Sequence, residues 1–313
     1  MTKEELLFFM TYKGNIDNFN FLLKSSRSLK EDTKTYIQSN FTNNLGSNMI
    51  PKSLFKFLSF EGGILSIRNT NLQFSHPLSF RNLSNGLNDM SEFWYERFYI
   101  DNQSLEEIYE LLSVKDNLSK KELTPSFLYS YLIYNHFMNT VERNKVLCLT
   151  KSVNNDYMWS LFNTGVCIEY DSKIFNDLSL IKYKPVGDKY TVFYNEIIYV
   201  DQVLEVPIRW KDSAWISNLL FVKEKEKYFK EDEFRIILTE ERSLDRIISN
   251  RELRNKIAYE RMFDINMFQA DPIRPIIEKD HINKVYYTGN VENEKFLLET
   301  LIKLEIPFEK IKY

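Results

Sequence analysis

The amino-acid sequence predicts an α+β fold, a mixed or antiparallel sheet with helices packed on it. Three observations lead there. Short apolar runs of strand length recur between residues 54 and 311, and helical patterns interrupt them at irregular intervals instead of alternating with them. Of the 313 residues 43% are hydrophobic and 15% aromatic, enough for one large core or two modest ones. No internal repeat is visible.

In chain order, residues 1 to about 40 read as helical: Thr2 and Glu5 stand at capping-box spacing, and Leu6, Leu7, Met10, Phe19, Leu22 and Leu23 recur at roughly helical intervals. The polar stretch 39–48, with Asn43, Asn44, Gly46 and Asn48, reads as a linker. The chain thus divides into an N-terminal helical appendage with its linker, 1–48, and a main α+β domain, 49–313. The main domain begins with a strand at 54–57, a short helix or turn at 60–68 weakened by Gly62 and Gly63, and a strand at 72–75. A polar loop through Asn88 and Asp89 leads to helices, the best of them at 126–143 with an apolar stripe of Leu128, Tyr131, Leu132, Met138 and Val141. Then come a strand at 146–150, a loop at 151–155, a short helix at 156–162 and a strand at 166–171. Strand-rich segments at 180–185 and 191–200 precede a helix over about 212–225, a strand at 233–239 and a mixed-charge helix candidate at 240–261. The chain closes with strands at 273–277 and 284–287, a helix at 292–304 and a strand at 308–311.

Composition narrows the function classes. Net charge is −3, from 41 basic and 44 acidic residues mixed along the chain, so no broad positive field for a phosphate backbone is evident. The densest basic run, Lys223-Glu224-Lys225-Glu226-Lys227, alternates in sign and reads as a solvated helix end. The apolar runs at 197–200 and 217–222 are far shorter than the roughly 20 residues a membrane span needs, so no membrane association is expected. Glu4 and Glu5 stand where a secretory signal would carry positive charge, which points to a cytoplasmic protein. Cys148 and Cys167 each lie in an apolar strand-like run and are expected to be reduced, unpaired core residues. His76, His136 and His281 are widely separated, and no Cys-x-x-Cys or His-x-x-x-His spacing begins a zinc site, so no metal is expected.

Three clusters could carry chemistry. The first joins Leu72-Gln73-Phe74-Ser75 to the loop of Leu87, Asn88, Asp89 and Glu92, short polar groups at a sheet edge; the alternative is that Asn88 and Asp89 only form a turn and cap the next helix. The second, Asp156-Tyr157-Met158-Trp159-Ser160, is a short helix after a polar loop, whose N-terminal N–H groups can hold an anion, although Met158 and Trp159 serve equally as core residues. The third is Glu231-Asp232-Glu233-Phe234-Arg235. If the strand reaches back to Glu231, period-two geometry puts Glu231, Glu233 and Arg235 on one face and Phe234, Ile236 and Leu238 on the core face. Two carboxylates beside a guanidinium suit either a solvated ion-pair face or a site whose carboxylate Arg235 positions.

In order and approximate spacing these pieces resemble the bacterial family called domain of unknown function 2971, to which the AbiGi-type abortive infection proteins look similar. The matching residues are Leu54-Phe55-Lys56-Phe57, Leu72-Gln73-Phe74-Ser75, Leu87-Asn88-Asp89 with Glu92, Leu147-Cys148-Leu149-Thr150, Met158-Trp159-Ser160, Gly165 to Tyr170, Lys227-Tyr228 with Glu231-x-Glu233-Phe234-Arg235, and Tyr287-Thr288-Gly289. The resemblance covers the chain from about Pro51 onward, and Met-Trp-Ser and Glu-x-Glu-Phe-Arg are its most specific pieces. It implies a fold similar in outline to toxin-type ADP-ribosyltransferases, with NAD as substrate and a role in anti-phage defence. On that resemblance Glu233 holds the nicotinamide ribose and activates the acceptor, Glu231 assists, and Arg235 orients the pair. Phe74 and Ser75 pack the nicotinamide, Lys56 stands where the first strand anchors NAD, and Asn88, Asp89, Trp159 and Ser160 complete the ligand site. The acceptor, protein or nucleic acid, stays open. The competing class is a non-catalytic module that senses a ligand or partner through the same cleft.

Overall fold

The structure is a computed structural model that describes residues 51–82, 98–100, 106, 110, 144–163, 165–174, 190–200, 206–208, 220–240, 272–289 and 291–312. The appendage and linker at 1–48, the Asn88-Asp89 loop, the helix at 126–143, the segment at 180–185 and the stretch 241–261 lie outside the described residues.

The fold is α+β, and its centre is a mixed seven-stranded sheet. The strands are β1 (Ser53–Leu58), β3 (Asn144–Thr150), β4 (Val166–Asp171), β5 (Tyr190–Glu196), β9 (Glu233–Glu240), β10 (Ile282–Thr288) and β11 (Phe308–Ile311). Their order is β11-β10-β4-β1-β3-β9-β5, and every neighbouring pair is antiparallel except β10 with β11. Four short strands form two separate parallel pairs: β2 (Phe98–Ile100) with β7 (Val206–Ile208), and β6 (Ile198–Val200) with β8 (Val222–Glu224).

Strict alternation along the strands gives the sheet two different faces. Leu54 of β1, Leu147 and Leu149 of β3, Val166, Ile168 and Tyr170 of β4, and Phe234, Ile236 and Leu238 of β9 build the main core on the first face. Two helices cover it, α1 (Phe60–Asn69) through Ile64 and Ile67, and α4 (Glu294–Leu304) through Leu297 and Leu301. Each such side chain contributes about 1.5–3 kcal/mol by leaving water. Ser59 caps α1 by accepting the Gly62 N–H at 3.3 Å, and Thr70 ends it in the left-handed region at φ 45°. Gly63, read from sequence as a weakness, is what lets α1 approach the sheet: a Cβ there would stand 2.1 Å from Val166 Cγ2.

The second face is smaller and carries Phe57, Cys167 and the short helix α2 (Asp156–Leu161), with Trp159 buried between them. The two halves of the sheet meet weakly on this side of the molecule. β1 pairs with β4 along its whole length but with β3 at a single register pair, Phe55 with Thr150. Beyond that pair the strands part.

Two expectations need correction. The strands read at 72–75 and 273–277 are isolated bridges, Asn71 with Ile276, Phe74 with Ile273 and Ser75 with Val146. Pro272 and Pro275 supply no N–H, which keeps that segment from extending a ladder. The helix expected over about 212–225 is contradicted at its end, where residues 222–224 pair in parallel with β6 and helix begins only at α3 (Lys225–Tyr228). Among the described residues no helix is long and apolar enough to cross a membrane.

Candidate functional site

Where β1 and β3 part, a cavity of about 160 Å³ opens, lined on its apolar side by Phe55, Phe57, Phe80, Met158, Leu161 and Phe162. Its polar floor comes from Lys56, Cys148, Thr150, Lys223, Tyr228, Glu231, Glu233 and Arg235. The register explains why these groups converge. Cys148 stands opposite Arg235 and Thr150 opposite Glu233 in the β3/β9 ladder, and Thr150 stands opposite Phe55 in β1, so all of them share the second face.

The floor is an ion-pair network. Arg235 grips Glu233 with its fork, Nε donating to Oε1 at 2.5 Å and Nη2 to Oε2 at 3.1 Å, and donates Nη1 to the Leu220 carbonyl at 2.5 Å. Lys223 Nζ lies 2.7 Å from both Glu233 Oε2 and Glu231 Oε2 and 4.7 Å from the centre of the Tyr228 ring. Side chains of Lys223, Glu233 and Arg235 are only 6%, 4% and 1% exposed, so this is a desolvated network and not the solvated ion-pair face that alternation allows. The backbone N–H of Glu233 donates to the Tyr199 hydroxyl at 2.9 Å.

Strand β9 begins at Glu233, not at Glu231. Glu231 ends a 3-10 turn, Phe229–Glu231, and Asp232 then reverses the chain in the left-handed region at φ 47°. The two carboxyls therefore face each other across Lys223 instead of standing in line on one strand. The Glu231 carboxyl is pushed up to about 7: burial raises it, Lys223 opposes, and the neighbouring Glu233 raises it again. Burial alone would lower the Lys223 ammonium, but Glu233 and Glu231 outweigh it and hold it well above its ordinary range. Burial, then Glu233, pushes the Cys148 thiol up, which makes it a poor nucleophile. Both cysteines are free thiols, Cys167 buried and Cys148 half-buried.

Of the residues singled out from sequence, Glu231, Glu233, Arg235 and Lys56 line this cavity together. Lys56 reaches across the gap between the strands and donates to the Cys148 carbonyl at 2.7 Å. Trp159 stands behind the wall: its ring meets Phe57 edge-on at 4.8 Å and its Nε1 donates to the Val153 carbonyl at 2.8 Å. Ser160 is exposed and its hydroxyl donates to the Tyr157 carbonyl, so it faces away from the cavity. Phe74 is wholly buried in the core of the first face, where the gain from leaving water holds it. Ser75 is bridged to Val146 and lies outside the lining. Asn88 and Asp89 fall outside the described residues. The Met158 N–H at the start of α2, expected to be available to an anion, is taken by the Asn155 side chain at 3.0 Å.

Sequence reasoning missed Lys223. Its sign-alternating run suggested solvent, and Lys225, Glu226 and Lys227 are indeed exposed. The available signal was its position directly after the apolar run ending at Val222, which continues an extended segment inward. Compared with known proteins, the chain matches no family model. No curated protein and no solved structure matches it significantly.

Proposed function

We propose that this cavity is the site of an enzyme similar to ADP-ribosyltransferases, one that cleaves the nicotinamide–ribose bond of NAD. The observation that carries the reading is the floor: a carboxyl, Glu231, held near neutrality beside an ion-paired Glu233 beneath aromatic walls. Aromatic faces at Phe55, Phe57, Phe80 and Phe162 suit a flat ring such as nicotinamide. The C1′–N bond breaks and its electron pair leaves with the nicotinamide. The cationic character that develops at C1′ is stabilised by a carboxylate, and the acceptor's oxygen or nitrogen adds there while its proton passes to Glu231.

The resemblance gives the leading role to Glu233, but the geometry favours exchanging the two. Both Glu233 oxygens are held by Arg235 and Lys223, whereas Glu231 has only Lys223 and a hydrogen bond shared with Glu233, and it titrates where proton transfer at neutral pH is most effective. In this reading Glu231 is the catalytic carboxyl, Glu233 fixes Lys223, Arg235 fixes Glu233, and Lys56 adds positive charge toward the pyrophosphate side of the ligand. A cellular role as an anti-phage effector follows from the same resemblance. A second reading has one observation in its favour: an ion-pair network this deeply buried holds a shape well, as a binding module without chemistry requires.

The test is nicotinamide release from NAD by the full chain. Glu231→Gln should lower it by roughly 10²-fold or more while the protein stays folded. Wild-type rate should rise with pH through about 7, as Glu231 becomes a base. Saturable thermal stabilisation by NAD with no nicotinamide released would leave the binding module standing and remove the enzyme.

A further inference from the structure

Glu231 sits on a turn, and a turn holds a carboxyl accurately only if something holds the turn. We infer that Asn155, which does not line the cavity, is a positioning residue that sets the place of Glu231; its catalytic meaning rests on the reading given above. One amide spans two elements that are about 75 residues apart in the chain. Its Oδ1 accepts the Met158 N–H at 3.0 Å, closing the first turn of α2. Its Nδ2 donates to the Lys230 carbonyl at 3.0 Å and to the Glu231 carbonyl at 3.2 Å.

Chemistry fixes the direction of this amide. Reversing it would set an NH2 against the Met158 N–H and an oxygen against two carbonyls, so only one orientation satisfies all three groups. The consequence is a rigid link between the wall and the floor of the cavity. Met158 and Leu161 belong to the helix that Asn155 caps, Phe162 ends it, and Glu231 belongs to the turn that it ties. The same loop makes a second tie, with Lys151 Nζ at 3.0 Å from Asp232 and 3.3 Å from Glu196, but that one is a half-exposed ion pair and acts on a neighbour of Glu231. An exposed pair of this kind restrains little, whereas an amide with both ends used restrains direction as well as distance.

Other residue types cannot share both tasks. Ser and Thr cap a helix nearly as well as Asn, yet neither has an NH2 to reach the turn. Asn155→Ser and Asn155→Thr therefore separate the tie from the cap. The charged groups that bear on the titration of Glu231 are Lys223 and Glu233; Tyr157 and Tyr199 lie near but stay neutral throughout, because burial raises both phenols, and neither variant changes any of the four.

The experiment labels glutamate side chains with carbon-13 in the full chain and follows the Glu231 carboxyl by NMR through pH, its signal identified by its loss in Glu231→Gln. In both variants the midpoint should fall by about one unit toward the ordinary carboxylate value, because a loosened turn lets the carboxyl reach water. Lys151→Met should leave it in place. If NAD is cleaved, both variants should lose roughly 10-fold to 10²-fold in kcat with KM little changed, the cost of a misplaced group. An unmoved Glu231 midpoint in folded Asn155→Ser and Asn155→Thr overturns the inference. So does failure of both variants to fold, since Asn155 would then hold the fold and not the carboxyl. A wild type that releases no nicotinamide defeats the enzyme reading alone, because the titration still decides what Asn155 does.

Discussion

Glu233 and Arg235 show what burial does to a pair that alternation alone would place in water. At 4% and 1% exposure, neither charge has solvent to fall back on if its partner is removed. Glu233→Gln should therefore cost on the order of 3–5 kcal/mol, the range found when one member of a buried pair is deleted, and not the fraction of a kcal/mol of a surface pair. Urea unfolding measures this, and a loss below about 1 kcal/mol would mean that water reaches the network. Glu231 acts on stability in the opposite sense. Its folded value of about 7 lies above the ordinary 4.5, so the folded chain keeps a proton that the unfolded chain has released. Its contribution is complete below 4.5 and is lost as pH rises through 7. Glu231→Gln cannot lose a proton, so its stability relative to wild type should improve steadily between those two values.

Elements were legible where a strand buries one apolar row and the other row is short. Leu147 and Leu149, or Phe234, Ile236 and Leu238, announce β3 and β9 by period two, and the start and end of β4 were read to the residue. The polar row of the same strands was not legible as buried, because what covers it is distant in sequence. The Leu220 carbonyl and Lys223 reach Arg235 and Glu233 only after a left-handed residue, Asp232, folds the chain back, and no local pattern announces that reversal. Asn155 is illegible for the same reason, since a capping Asn looks identical with or without a second partner 75 residues away. Local propensity also misread α1. Gly63 costs about 1 kcal/mol of helix propensity relative to Ala, so Gly63→Ala should stabilise an isolated helix. Here the added Cβ would meet Val166 Cγ2 at 2.1 Å, and overpacking of this kind costs about 1–3 kcal/mol. Gly63→Ala should thus destabilise the protein, and pairing it with Val166→Ala should give a favourable coupling in a double-mutant cycle. A stabilising single mutant would show that α1 does not lie this close to β4.

For the whole molecule, the α+β class was readable from the irregular mixture of elements, while the strand order was not, because it depends on pairings between residues more than 100 positions apart. Among the described residues the buried clusters run from Leu54 to Ile306, and the division at residue 48 is a proposal made from the sequence. A chain beginning at residue 49 should then unfold in one cooperative transition with a midpoint within a few degrees of the full chain; a chain that fails to fold would place residues 1–48 in the core. The single register pair between β1 and β3 has a mechanical consequence. A ladder resists shear in proportion to its rungs, so β11-β10-β4-β1 and β3-β9-β5 form two stiff leaves with one rung at the spine, and Lys56 and helix α2 act as clasps across it. A group that settles in the cavity would touch side chains of both leaves at once, Phe55 and Phe57 of β1 and Cys148 and Thr150 of β3.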